Sequence, residues 1–149
     1  MARTESFTDE KLLLLLEENS KAPYREIGEQ LGVTETAVRK RVKKLLSEGI
    51  IERFTVKLNH EKLGIEHYAF IGVDTIPEKF LTVQATLKDL PASRAIWATS
   101  GDHDILVEAW FEIYEDIQVF TDEIEQIEGV TRVCPAVVSK KIMDKRGGF

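Results

Sequence analysis

Cysteine is nearly absent: Cys134 is the only one in 149 residues. Disulfides within the chain and cysteine-rich metal sites are thereby excluded. Cys134 has no activating histidine or helix start beside it in the sequence and reads as a small apolar residue. Histidine is scarce too, and His60, His67 and His103 show no metal-ligand spacing. Long apolar runs are missing. The longest, Leu12–Leu16, is far too short to span a bilayer, and its flanks are acidic and basic rather than signal-like. A cytoplasmic location with no membrane partner is the expectation. Low-complexity segments are also lacking, and so are internal repeats beyond two βαβ-type halves. What remains has the composition of an ordinary globular protein, 43% apolar, with a length that suits one large domain or two small ones.

The net charge of −6 argues at first against a nucleic-acid partner, but its distribution matters more than its sum. Residues 1–60 carry 11 Lys/Arg and 10 Asp/Glu, a net of +1, whereas residues 61–149 carry 9 and 16, a net of −7. Arg39, Lys40, Arg41, Lys43 and Lys44 fall within one six-residue window. A basic patch on an acidic chain suits one DNA-facing element attached to a domain with other work.

Hydrophobic periodicity divides the chain. Residues 6–19 predict a first helix, capped by Ser6 with Asp9 three residues on, or by Thr8, and turning Leu12, Leu13 and Leu16 inward. Leu14 has no evident partner on that helix. Pro23 suits the first turn of a second helix reaching Leu31, with Ile27 and Leu31 on one face. Gly32 ends it, Thr34 caps a third helix, and Val38, Val42, Leu45 and Leu46 form that helix's apolar stripe up to Gly49. Ile50, Phe54, Val56 and Leu58 then alternate with polar residues, the pattern of a strand.

From residue 59 the pattern predicts a strand (67–76), a helix (78–90), two strands (94–99 and 104–112), an amphipathic helix (114–128) and a last strand (131–143) in which Pro135 marks an edge or bulge. The order βαββαβ is the ferredoxin-like arrangement. The fold class is therefore α+β, with residues 1–58 as a helix-turn-helix domain with its linking strand and residues 59–149 as the βαββαβ domain. Two helices cover one sheet face, and dimerisation is the economical way to cover the other.

Two helices joined by a short glycine turn are the helix-turn-helix signature, and the second would lie in the major groove with its first residues near base edges. Those residues are Thr34, Glu35, Thr36, Ala37, Arg39 and Lys40. Arginine grips guanine bidentately, and threonine contacts a base edge or a thymine methyl. Lys43 and Lys44 lie further along and suit phosphates, as do Tyr24 and Arg25 at the start of the second helix. Arg41 suits either DNA or a helix–helix ion pair. A basic run is more often a solvated helix face. Its coincidence with the second helix of a glycine-turned pair favours double-stranded DNA.

At this point the residues resemble the Lrp/AsnC family of feast/famine transcription regulators. Leu31–Leu45 is similar to that family's recognition helix-turn-helix. Gly49-Ile50-Ile51 and the run to Asn59 are similar to its link into the second domain, and Thr99–Asp104 resembles the turn before its central strand. The resemblance covers about residues 5–144. It implies a winged-type helix-turn-helix followed by an ACT-like effector domain of the RAM kind. It also implies sheet-to-sheet dimers that assemble into tetramers or octamers, pseudo-palindromic DNA sites, and an amino-acid or related effector held between dimers. Carried over by residue, the effector site is Thr99, Ser100, Gly101, Asp102, His103 and Asp104. The family's usual Thr-Gly pair is here Thr99-Ser100-Gly101, and His103 stands where another aromatic is common.

On its own chemistry, Gly101 permits a tight turn and close approach to backbone amides, and Asp102 and Asp104 would accept an α-ammonium group. Polar hairpin turns look similar by default. Asp102, His103 and Asp104 do not suggest a metal, because neighbouring strand side chains point apart. Trp97 and Trp110 suit sheet packing rather than ligand stacking. No catalytic residue or cofactor is expected. Two alternatives stand beside the ligand-modulated regulator. One is an effector-independent protein that bends or wraps DNA. The other is an enzyme of the related tetrapyrrole decarboxylase type, which would need converging His and Arg side chains from a domain offering only His67, His103, Arg94 and Arg132.

Overall fold

The computed structural model describes residues 2–143 and divides into two compact units, one built on the chain up to Leu58 and the other on Asn59–Ile142. The first unit holds α1 (Ala2–Glu18), α2 (Tyr24–Leu31) and α3 (Glu35–Ser47). Its core is Leu12 and Leu16 from α1, Ile27 from α2, and Val38, Val42 and Leu45 from α3. Each fully buried aliphatic side chain contributes about 1.5–3 kcal/mol. Leu13 and Leu15 pack against this cluster, while Leu14 is 40% exposed. Neither Ser6 nor Thr8 caps α1, because the helix begins upstream at Ala2, where the run Ala2-Arg3-Thr4-Glu5 extends it. Pro23 is the N-cap of α2 rather than its first helical residue.

The end of α3 explains a second departure. Gly49, in the left-handed region at φ 72°, donates its N–H to Leu46 O at 3.1 Å, and Ile50 donates to Leu45 O at 2.9 Å. This is the Schellman pattern of a glycine-terminated helix. Ile51 also donates to Leu45 O and rests against the core. The helix end thus consumes two amides of the expected linking strand. Residues 50–58 form no strand, and Ile50, Phe54, Val56 and Leu58 stay 45–66% exposed. The alternation is real, but a strand needs a neighbour for its backbone groups, and the described residues offer none.

In the second unit, β1 (His67–Thr75), α4 (Phe80–Asp89), β2 (Ser93–Ala98), β3 (Ile105–Phe111), α5 (Asp116–Glu125) and β4 (Val130–Val137) form the expected βαββαβ fold. The sheet is antiparallel in the order β2-β3-β1-β4. Ala69, Ile71 and Val73 from β1 and Ile105, Val107, Ala109 and Phe111 from β3 pack on Val83 and Leu87 of α4 and Ile117, Phe120 and Ile124 of α5. By strand alternation the other face carries Tyr68, Phe70, Gly72 and Asp74, opposite Leu106, Glu108 and Trp110 of β3 and Arg132 and Cys134 of β4.

The helix expected at 78–90 opens as a 3-10 turn at Pro77–Lys79 before α4 begins. The last strand stops at Val137, where β1 is nearly exhausted: Val138 N–H reaches Tyr68 O at 2.8 Å, one residue from the start of β1. Both sheet edges are irregular. β4 carries Pro135 in mid-strand and slips register against β1 between Asp74 and Thr75. β2 has six residues and slips against β3 between Ser93 and Ala95.

Candidate nucleic-acid interface and effector turn

The turn between α2 and α3 is set by two glycines. Gly32 takes φ 71°, where a Cβ is unfavourable. Gly28 is required for space: a Cβ there would sit 2.6 Å from the Val33 carbonyl oxygen, and Val33 donates its N–H to Gly28 O at 2.9 Å. The turn therefore closes directly against α2. Sequence reading singled out Gly32 and missed Gly28, whose only signal is its four-residue spacing from Gly32.

Thr34 accepts the Ala37 N–H on its hydroxyl at 3.1 Å, so its first duty is to start α3. With Val38, Val42 and Leu45 buried, the 3.6-residue period turns Thr36, Lys40, Lys43 and Lys44 away from the core, and all four are exposed. Arg39 and Glu35 lie on the α2 flank. Arg39 donates to Glu35 at 2.6 Å, and its guanidinium stands 5.4 Å from the centroid of the Tyr24 ring. Arg25 pairs loosely with Glu29 at 3.6 Å and Lys44 with Glu48 at 3.7 Å, both in solvent, where such pairs contribute little and exchange readily. Arg41 does not belong with the outward set. It points to the α1 flank, where its Nε and Nη2 donate to both oxygens of Asp9 and its side chain is only 26% exposed. Of the two roles open to it in the sequence, the helix–helix ion pair is the one it fills.

The β2–β3 turn is braced from within. Thr99 donates its N–H to Asp104 O at 2.9 Å and its hydroxyl to His103 O at 2.6 Å. Asp104 accepts the Thr75 N–H at 2.8 Å, tying the turn to β1. Ser100 and Gly101 form the exposed tip, and the Asp102 side chain is 80% exposed. His103 lies flat on the open face over Gly72, where a Cβ would fall 2.2 Å from the ring.

Around that ring the structure gathers residues that sequence reading did not assign. His103 Nδ1 is 3.1 Å from Asp74 Oδ1, and its Nε2 is 3.3 Å from Asp102 Oδ2. Arg132 donates to Asp74 and, through Nη2, to the Asp102 carbonyl at 2.7 Å and carboxylate at 3.2 Å. Burial alone would raise the Asp74 carboxyl. The hydrogen bonds and charges of Arg132 and His103 outweigh it and hold Asp74 below the ordinary carboxylate range. The same bonds, from Asp74 and then Asp102, keep Arg132 protonated more firmly than usual. The signal that could have found Asp74 and Arg132 is the ferredoxin-like strand order, which sets β4 beside β1 and Arg132 opposite Asp74.

Of the side chains an enzyme would need to converge, only His103 and Arg132 meet, and two aspartates hold them. His67 stands beside Tyr114, and Arg94 lies 5.3 Å from the Trp110 centroid. Trp110 packs on the open face between His60 and Tyr68 and donates to the buried Glu108 at 2.9 Å. No group of metal-ligating side chains occurs among the described residues, and no described helix is long and apolar enough to cross a membrane.

Known protein families match both units. The AsnC-type helix-turn-helix domain matches residues 8–46, and the Lrp/AsnC ligand binding domain matches residues 68–147. The HTH-type transcriptional regulator LrpA of Pyrococcus horikoshii is 42% identical over 135 residues, spanning 90% of this chain and 96% of that protein. LrpA1 of Halobacterium salinarum is 31% identical over 140 residues, 93% of this chain and 98% of that protein. Among solved structures, AsnC of E. coli superposes with a TM-score of 0.87 at 22% identity, over 92% of this chain and 93% of that one. A transcriptional regulator of Neisseria meningitidis, solved in complex with L-methionine, gives a TM-score of 0.85 at 25% identity, over 92% of this chain and 91% of its own.

Proposed function

Because the chain belongs to the Lrp/AsnC family of transcriptional regulators, we propose that the outward face of α3 binds double-stranded DNA and that the β2–β3 turn couples this binding to an amino acid or related small molecule. The observation that carries the first half is the outward set on α3. A helix capped by Thr34 and pinned by its apolar stripe presents Thr36, Lys40, Lys43 and Lys44 opposite the core, with Arg39 beside them. In this reading Arg39 and Thr36 meet base edges. Lys40, Lys43 and Lys44, with Tyr24 and Arg25, supply phosphate contacts. In this reading residues 1–58 bind DNA and residues 59–149 sense and assemble.

The effector half rests on the tip of the turn. Ser100 and Gly101 offer exposed backbone to a carboxylate, and Asp102 offers an exposed carboxylate to an ammonium group. Thr99, His103 and Asp104 are committed to bracing that tip. The L-methionine bound to the Neisseria meningitidis protein supports an amino acid as the ligand class. Dimers covering the open sheet face, and tetramers or octamers built from them, would present paired α3 helices to pseudo-palindromic sites. A protein whose partner is DNA and whose relatives are regulators acts in the cytoplasm without a catalytic step.

The test is binding to random and genomic duplex fragments at two salt concentrations, repeated with each of the twenty amino acids. Salt-sensitive, selective binding that shifts with one amino acid is the expected result. Binding that no amino acid alters would remove the effector half and leave a protein that binds or bends DNA unregulated. Absence of binding would remove both halves.

A further inference from the structure

Arg39 and Glu35 differ from the other exposed ion pairs spaced four residues apart in the first unit. Arg25–Glu29 and Lys44–Glu48 are loose, at 3.6 and 3.7 Å. Arg39–Glu35 closes to 2.6 Å, and the guanidinium also stands over the Tyr24 ring. Glu35 itself is fixed as the first residue of α3 by the Thr34 cap. The pair nevertheless remains open to solvent, at 65% exposure for the Arg39 side chain and 47% for Glu35. Two charged side chains at the start of the helix are thus paired with each other on an exposed face before any DNA arrives.

The hydrogen-bond inventory of this pair is incomplete in a specific way. Glu35 Oε1 takes one N–H of Arg39 Nη2. The guanidinium keeps its other donors, enough for the two-pronged grip on guanine O6 and N7. Glu35 Oε2 has no hydrogen bond among the described residues. A carboxylate brought into the major groove loses water and approaches phosphates, which is unfavourable unless a donor meets it. Cytosine N4 is the usual donor to a carboxylate there, since adenine N6 brings the repelling N7 acceptor beside it. Thymine O4 and guanine O6 present acceptors at that position and would repel the carboxylate, so the same oxygen rejects as well as selects.

We infer that Glu35 and Arg39 act as one reading unit that selects a guanine and a neighbouring cytosine in each half-site, with Tyr24 as the platform that holds Arg39. The inference rests on the DNA-binding role proposed for α3 and adds to it the base content of the target. Glu35 is the specificity-determining residue: it orients Arg39 through Oε1 and reads the second base through Oε2.

The experiment is selection from a random duplex pool by the full chain, by Glu35→Ala and by Arg39→Ala, with far-UV circular dichroism verifying that each variant keeps its helices. The parent is expected to enrich a guanine with an adjacent cytosine. Glu35→Ala should lose roughly tenfold of the discrimination against thymine at the cytosine position. Arg39→Ala should lose the guanine preference. Selected sequences identical for the parent and Glu35→Ala, or a parent preference without this guanine and cytosine, would overturn the inference while leaving α3 as the DNA-binding element. A parent that selects and binds nothing would overturn the DNA-binding role itself.

Discussion

Gly72 lies in the middle of the central strand without the positive φ that would demand glycine, so its backbone accepts any residue. Replacing such a glycine by alanine ordinarily stabilises a protein by about 0.4–1 kcal/mol, by restricting the unfolded chain. Here the new Cβ would lie 2.2 Å from His103 Cδ2 and 2.5 Å from Cγ and Nε2. The ring cannot slide aside cheaply, because Asp74 and Asp102 hold its two nitrogens. Overpacking of this kind costs about 1–3 kcal/mol, including a hydrogen bond worth roughly 0.5–1.5 kcal/mol if the ring swings out. The clash exceeds the entropic gain, and Gly72→Ala should lose about 1–2 kcal/mol net. In a His103→Ala background the obstacle is gone, and the same substitution should stabilise by about 0.4–1 kcal/mol. Urea unfolding of the four proteins in a double-mutant cycle reads both numbers, with a coupling energy of about 2 kcal/mol. Gly72→Ala as stable as the parent with His103 in place, or a coupling near zero, would refute the placement of the ring over Gly72.

Thr34→Ala removes the α3 cap and should cost about 1 kcal/mol in urea unfolding, with DNA affinity falling in parallel. Lys43→Ala should weaken binding to all duplexes alike and reduce the slope of log affinity against log salt by about 1, measured by titration at several salt concentrations. Arg41→Gln should leave that slope unchanged and lower stability instead, since Arg41 is engaged with Asp9. Asp74, with its carboxyl held below the ordinary range, stabilises fully above the unfolded carboxylate value near pH ~3.9 and loses that contribution as pH falls through its lower folded value. Melting temperatures followed from pH 5 to pH 3 should therefore drop more in the parent than in Asp74→Asn.

Elements whose signal is local were legible in the sequence. The stripe Val38, Val42, Leu45 and the cap Thr34 fixed α3 and its outward face, because a helix carries its periodicity and its ends within a few residues. The βαββαβ order followed from the same periodicities. What escaped depends on partners distant along the chain. Asp74, His103 and Arg132 are 29 to 58 residues apart and meet only through strand pairing. The stretch from Ile50 to Leu58 failed in the opposite sense. Its alternation states a capacity to pair, and pairing also requires a neighbour. Arg41 shows the third kind of miss: composition groups it with four other cations, and only its angular position on α3 sends it to Asp9.

The irregular margins of the sheet have a consequence for growth. A flat, regular outer strand is a template on which another chain can lay its own backbone, and repeated addition gives ribbons without limit. Here one margin is interrupted by Pro135, which has no N–H to offer, and the other is a six-residue strand that slips against its neighbour. The domain is a tile with rough rims, so another chain cannot be spliced along its sides. In the assembly proposed above, copies would meet on the broad surface instead, and a surface once covered leaves no margin on which a fibre could run on.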